Sequence, residues 1–132
     1  MKKISFDFDG TLEFKEVQKV VKDLIKRGYT VCILTTRFSD PSKYNFDVTK
    51  EHQELFDVAK DIGIEEIHFT DMEYKWMSID SYGIDIHLDD DYRDEVFMIN
   101  ELCKAKAVLY GYGWKKEFEK VLKELEDKQI HV

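Results

Sequence analysis

A chain of 132 residues, 43% hydrophobic and 36% charged with a formal net charge of −8, has the size and composition of one globular domain and excludes the disordered and fibrous classes. Its acidic balance opposes broad attraction to nucleic-acid backbones or anionic lipid, which leaves room only for a local basic patch. No run of about 18 apolar residues could span a membrane, and the apolar stretch after Lys2 and Lys3 is broken by aspartates too soon to be a signal-peptide core.

In chain order, Lys3 to Phe8 alternates and is rich in Ile and Phe, which predicts a short strand ending near Asp9 before Gly10 and Thr11 break the pattern. Phe14, Val17, Val20, Val21, Leu24 and Ile25 then recur at three- and four-residue steps up to Gly28, the pattern of an amphipathic helix with a glycine stop. Thr30 to Thr36 is a continuous apolar run of β-branched and small residues, a strand buried on both faces. The segment 37–50 lacks periodicity, contains Pro41 and reads mainly as loop. Leu55, Phe56 and Val58 to Ile62 form a helix closed by Gly63, and a third strand follows around Ile67 to Thr70.

The segment MEYKWMSIDSYG has the length of a connection with one short helix. A fourth strand, Ile84 to Asp90, ends on adjacent acidic residues as the first one does. DEVFMINELCKA reads as helix, AKAVLYGYG as a fifth strand, and WKKEFEKVLKELEDK as a terminal helix with Phe118, Val121, Leu122 and Leu125 on one face. Alternation of this kind predicts a Rossmann-like three-layer α/β/α sandwich around a mainly parallel five-stranded sheet, a single domain over 1–132. Cys32 and Cys103 lack paired spacing and read as buried reduced thiols, so the expected compartment is cytoplasmic.

In parallel sheets ligands bind beyond the carboxyl ends of the strands. Side chains alternate along a strand, so Asp7 and Asp9 fall on one face, roughly 6.6 Å apart by strand rise. Gly10 lets the backbone turn and approach a ligand, and Thr11 adds a hydroxyl. Thr35, Thr36 and Arg37 end the second strand, Asp89, Asp90 and Asp91 end the fourth, and Lys75 lies just before it. Converging carboxylates repel one another unless a cation compensates them, which points to a hard, oxygen-ligated metal, Mg²⁺. A lysine and threonines beside that cluster suit a phosphate, and the whole set suits phosphoryl transfer.

DFDGTL at 7–12, the apolar strand ending in Thr35, the downstream Lys75 and LDDD at 88–91 together resemble the four motifs of the haloacid dehalogenase superfamily of phosphohydrolases. The resemblance implies that Asp7 is the nucleophile forming an aspartyl-phosphate and that Asp9 is the general acid and then base. It implies that Thr35 and Lys75 bind the phosphoryl group, joined by Gly10, Thr11, Thr36 and Arg37. Mg²⁺ would sit on Asp7, the carbonyl of Asp9, Asp89 and Asp90, with Asp91 left as a neighbour of the site or a helix N-cap. Many relatives insert a cap domain after the first motif or before the lysine. Neither place has room here, which implies a capless enzyme acting on large or exposed phosphates, or one closed by a second copy of the chain.

The expected specificity element is the loop after Thr36. Phe38, Tyr44 and Phe46 could stack on a base or sugar, with Arg37 and Lys43 on phosphate; the alternative is that these aromatics pack the loop onto the sheet. TTRFSDPSKY also resembles a stretch of the 3′-phosphatase domain of phage polynucleotide kinases. The expected substrate is therefore a phosphomonoester, with a nucleotide or nucleic-acid end favoured. Two rival readings are a phospho-aspartate receiver module and a phosphate-binding protein without turnover. His52, His68, His87 and His131 show no metal-ligand spacing, and His87 reads as a packed neighbour of Asp89. Trp76 and Trp114 read as core or interface residues.

Overall fold

A computed structural model describes residues 2–40 and 48–130, with the side chains of 48–51 and 129–130 outside the description. Five strands, β1 (Lys3–Phe6), β2 (Thr30–Thr35), β3 (Glu66–Phe69), β4 (Ile86–Asp89) and β5 (Lys106–Leu109), form one sheet in the order β3-β2-β1-β4-β5. All four pairings are parallel. Helices α1 (Lys15–Lys26), α2 (Val48–Ile62), α3 (Phe97–Leu102) and α4 (Trp114–Ile130) alternate with them. The Rossmann-like α/β architecture expected from the sequence is the one found. Strand order reverses between β1 and β4, and that switch point opens the crevice where such sheets bind ligands.

The two faces of the sheet are covered unequally. Val17, Val21 and Leu24 of α1, Leu55 and Ile62 of α2 and Phe118 and Leu122 of α4 pack in one cluster with Ile4, Phe6, Ile33, Ile86 and Leu88. The opposite face has a smaller core of Cys32, Leu34, Ile79, Ile84, Val96, Ile99 and Ala107. It is covered by α3 and by two short 3₁₀ turns, Lys75–Met77 and Ile79–Tyr82. The thinner face is also the polar one, because Ser5, His87 and Asp89 alternate with the core residues of β1 and β4 and are buried there.

The differences from the sequence reading are local. β1 ends its ladder at Phe6, although Asp7 N–H still donates to Leu88 O at 3.0 Å. α2 begins at Val48, inside the stretch read as loop, since helix propagation extends past the buried stripe that marks it in sequence. Two 3₁₀ turns replace the single short helix expected before β4, and a wide turn over Tyr92–Val96 precedes a shortened α3. Phe14 is 45% exposed and stacks on Tyr110 instead of joining the core. Cys103 is only partly buried, and both cysteines are free. Trp114 lies in the larger core and Trp76 packs against the smaller one. Among the described residues no helix is long and apolar enough to cross a membrane.

Candidate active site

The site begins with the peptide that leaves β1. After the extended Asp7 the backbone passes through Asp9 and then Gly10 at φ 76, a left-handed position that glycine adopts without penalty. The chain folds back on itself there, with Leu12 N–H donating to Asp7 O at 3.0 Å. A side chain at position 10 would meet Asp90, whose Oδ2 lies 2.2 Å from an ideal Cβ. The absence of a side chain is what lets the Asp90 carboxylate close over this turn.

Lys75 is the hinge of the arrangement. Only 1% of its surface is exposed, and its ammonium donates to Asp7 Oδ1 at 2.9 Å and Asp89 Oδ2 at 2.5 Å. Glu95 holds the same residue from behind. Both its oxygens accept from Lys75 N–H at 3.3 Å, and Oε2 stands 3.8 Å from the ammonium. The two carboxylates around Lys75 differ in their surroundings. Burial pushes Asp7 up to about 8, with Lys75 opposing and the charge of Asp89 adding to the rise. Asp89, equally desolvated, is held well below the usual carboxylate range by hydrogen bonds and charge from His87 and Lys75. Burial also raises Glu95 to about 7. Desolvation raises Asp90 more modestly.

Behind Asp89 runs a buried chain that the sequence shows only in part. His87 Nε2 is 2.7 Å from Asp89 Oδ2, and Ser5 Oγ is 2.6 Å from His87 Nδ1. Burial depresses the imidazole's proton affinity while Asp89 opposes that; in the tautomer with its hydrogen on Nε2, the ring donates to Asp89 and accepts from Ser5. Asp89 Oδ1 accepts from Asp91 N–H at 3.0 Å. Asp91 caps the turn that follows by accepting from Asp94 N–H at 3.0 Å, the N-cap alternative expected for it.

The remaining expected residues divide by location. A cavity of about 740 Å³ at the strand ends is lined by Asp7, Asp9, Thr36, Lys75, Asp89 and Asp90 among others. Thr11 is fully buried, with Oγ1 3.5 Å from Asp7 Oδ2, so it touches the nucleophile candidate from behind. Thr35 is also fully buried, and its Oγ1 accepts from Arg37 N–H at 3.3 Å. Arg37 clasps Asp9 with two hydrogen bonds, Nε to Oδ2 at 2.9 Å and a terminal nitrogen to Oδ1 at 2.7 Å, while its guanidinium lies 5.2 Å from the Phe8 ring centre. Gly10, Thr11, Thr35 and Arg37 thus lie around the Asp7 and Asp9 end of the site without lining the cavity. Lys43, Tyr44, Phe46 and His131 lie outside the described residues, and Phe38 is half-buried with its carbonyl 2.7 Å from His52 Nε2.

The donor set fits a hard divalent cation. Asp7, Asp89 and Asp90 each present a carboxylate oxygen, and these atoms lie within 4.8 Å of one another. All are oxygen ligands, as Mg²⁺ requires, and a nearby positive charge favours the ionised form of the desolvated Asp7. Glu95 and the Ser5 link to His87 are the functional neighbours that sequence reasoning missed. No motif marks either; only burial against Lys75 and Asp89 does.

This fold and site define a Rossmann-like α/β domain with an acidic, lysine-bridged centre at its switch point. No protein-family model matches the chain, and no curated protein is similar to it in sequence. Among solved structures it is similar to the D,D-heptose 1,7-bisphosphate phosphatase of B. bronchiseptica, determined with magnesium and phosphate, at a TM-score of 0.59 and 16% identity over 83% of this chain and 80% of that one. A hypothetical protein from Xanthomonas campestris also matches, at a TM-score of 0.51 and 15% identity over 89% of this chain and 69% of that one. The α/β fold expected from the sequence is the fold shared with that phosphatase.

Proposed function

We propose that the protein is a Mg²⁺-dependent phosphatase that hydrolyses a phosphomonoester through an aspartyl-phosphate on Asp7, with a nucleotide or nucleic-acid end as substrate. The observation that carries this reading is the buried Lys75 ammonium bridging Asp7 and Asp89 at 2.9 and 2.5 Å. A cation fixed there both orients a nucleophilic carboxylate and offsets charge on an entering phosphoryl group. The magnesium and phosphate of the heptose bisphosphate phosphatase support it.

In the first half-reaction an Asp7 oxygen forms the P–O bond while the ester P–O bond breaks, and Asp9 gives its proton to the leaving oxygen. In the second, Asp9 takes a proton from a water that attacks phosphorus. The Asp7 O–P bond breaks, releasing inorganic phosphate and restoring the Asp7 carboxylate and the protonated Asp9 carboxyl. Mg²⁺ held by Asp7, Asp89, Asp90 and the carbonyl of Asp9 would supply charge neutralisation for the phosphoryl oxygens. Arg37 keeps Asp9 at the mouth, and His87 with Glu95 keeps Asp89 and Lys75 in place. With no cap domain among the described residues, a bulky leaving group or a second copy of the chain would shield the site from water.

A receiver module is disfavoured by topology. Flavodoxin-like receivers order their strands 2-1-3-4-5, whereas this sheet is ordered β3-β2-β1-β4-β5. The deciding experiment is phosphate release from a panel of phosphomonoesters with and without Mg²⁺, comparing wild type with Asp7→Asn. Release that requires Mg²⁺ and vanishes in Asp7→Asn is expected. Equal inertness of both proteins on every substrate would remove the enzyme reading and leave the phosphate-binding one.

A further inference from the structure

The cavity is far larger than a phosphoryl group needs, since volumes of roughly 300–1,000 Å³ accept whole drug-sized ligands. Its outer wall, beyond the carboxylates and Lys75, has two chemical characters. Met72, Tyr74 and Tyr92 contribute thioether and aromatic surface, and they are 64%, 52% and 55% exposed. Glu73, Asp91 and Asp94 contribute acids to the same wall, where Arg93 is the one cation other than Lys75 among the described lining residues. Arg37, the other nearby cation, is engaged by Asp9.

The backbone is strained to build this wall. Asp71 and Met72 both have left-handed φ, 54° and 68°, which residues other than glycine adopt at a cost. Three contacts with the segment after β2 hold them there. Asp71 N–H donates to Arg37 O at 3.2 Å, Met72 N–H donates to Thr36 O at 2.7 Å, and Ser39 N–H donates to Asp71 Oδ1 at 2.6 Å. The turn fixes Met72 and Tyr74 beside Lys75, so the apolar wall is tied to the catalytic centre.

We infer that this wall is the leaving-group subsite, and that it selects a phosphomonoester of a planar, uncharged group such as a nucleoside monophosphate while rejecting substrates with a second phosphate. The inference rests on the phosphatase reading and narrows it, favouring the nucleotide over the nucleic-acid end. Aromatic side chains stack on any planar base, whereas a second phosphate entering beside three carboxylates and one arginine meets net repulsion. The charge of −8 on the whole chain acts in the same direction.

The test compares kcat/KM for adenosine 3′- and 5′-monophosphates, glycerol 3-phosphate, adenosine 3′,5′-bisphosphate and a 3′-phosphorylated oligonucleotide. At least one nucleoside monophosphate should exceed glycerol 3-phosphate by roughly tenfold through stacking, and should exceed the bisphosphate and the oligonucleotide by a similar factor at low salt. Tyr74→Ala and Tyr92→Ala should shrink the first ratio. Asp94→Asn with Glu73→Gln, or added salt, should shrink only the second, because screening acts on the charge term. A bisphosphate or oligonucleotide used as well as the monophosphates, or no advantage of nucleosides over glycerol 3-phosphate, would overturn the inference. If wild type hydrolyses none of these esters, the phosphatase reading fails separately. Equilibrium binding of the same compounds then still decides the subsite, and tighter binding of the bisphosphate than of either monophosphate sinks it.

Discussion

Lys75→Met isolates the interaction on which the site is built. Methionine keeps a buried, unbranched stem at a position that is 1% exposed, so little apolar burial is lost and the change removes chiefly the ammonium. Two carboxylates, at 2.9 and 2.5 Å, then lose their partner inside the protein, with Glu95 3.8 Å away losing a third, weaker contact. Breaking a buried pair by removing one member costs about 3–5 kcal/mol. That cost falls where the stranded carboxylate can take up a proton. Asp7 already sits at about 8, and without the ammonium it is driven further up, so its carboxyl is protonated in both proteins at pH 5 and the loss should grow only as pH rises past 8, larger at pH 9 than at pH 5. Urea unfolding followed by circular dichroism in the presence of a chelator, at both pH values, measures this directly. Adding Asp7→Asn to Lys75→Met should recover part of the loss, since the coupled pair is removed together. A loss below about 1 kcal/mol at pH 9, the range of an exposed ion pair, or a loss that does not change with pH, would refute the account of a desolvated, lysine-held carboxylate pair.

Two further outcomes follow from the same geometry. Burial raises the carboxyls of Asp7 and Glu95 in the folded chain, to about 8 and about 7. Between the unfolded carboxylate range near pH 4 and pH 8 the folded state therefore binds more protons than the unfolded one, and stability of the metal-free protein should fall as pH rises through that window. Thermal melts should show that fall, Asp7→Asn should flatten its upper part, and Mg²⁺ should oppose it in wild type; a melting temperature that rises with pH over this range would contradict it. Gly10→Ala should cost about 1–2 kcal/mol for a left-handed alanine and displace the Asp90 carboxylate, whose Oδ2 would lie 2.2 Å from the new Cβ. Asp90 is a surface side chain and can swing away, so the fold should survive while Mg²⁺ affinity, read by calorimetry, drops on the order of tenfold. Unchanged affinity would remove Asp90 from the proposed ligand set.

The sequence by itself determined the frame: which segments are strands and helices, that they alternate, and that Asp7, Asp9, Lys75, Asp89 and Asp90 lie at or beside strand ends. It could do so because periodicity is local and because a parallel sheet brings its carboxyl ends to one edge. The tertiary structure decided what those residues do to one another. Alternation along β1 predicts that Asp9 shares a face with Asp7, yet the turn at Gly10 sends Asp9 outward to Arg37. Glu95 looks like any helix acid in the sequence and becomes a support of Lys75 only because α3 and the turn before it pack over the thin face of the sheet. Likewise Ser5 and His87 are adjacent only because β1 and β4 pair at the switch point, in register across 82 positions of sequence. Burial and long-range pairing depend on the whole fold, and no local pattern encodes them. For that reason DFDGTL could be read as a pair of carboxylates, while their unequal environments, one desolvated against Lys75 and one held at the mouth by Arg37, belong to the folded chain.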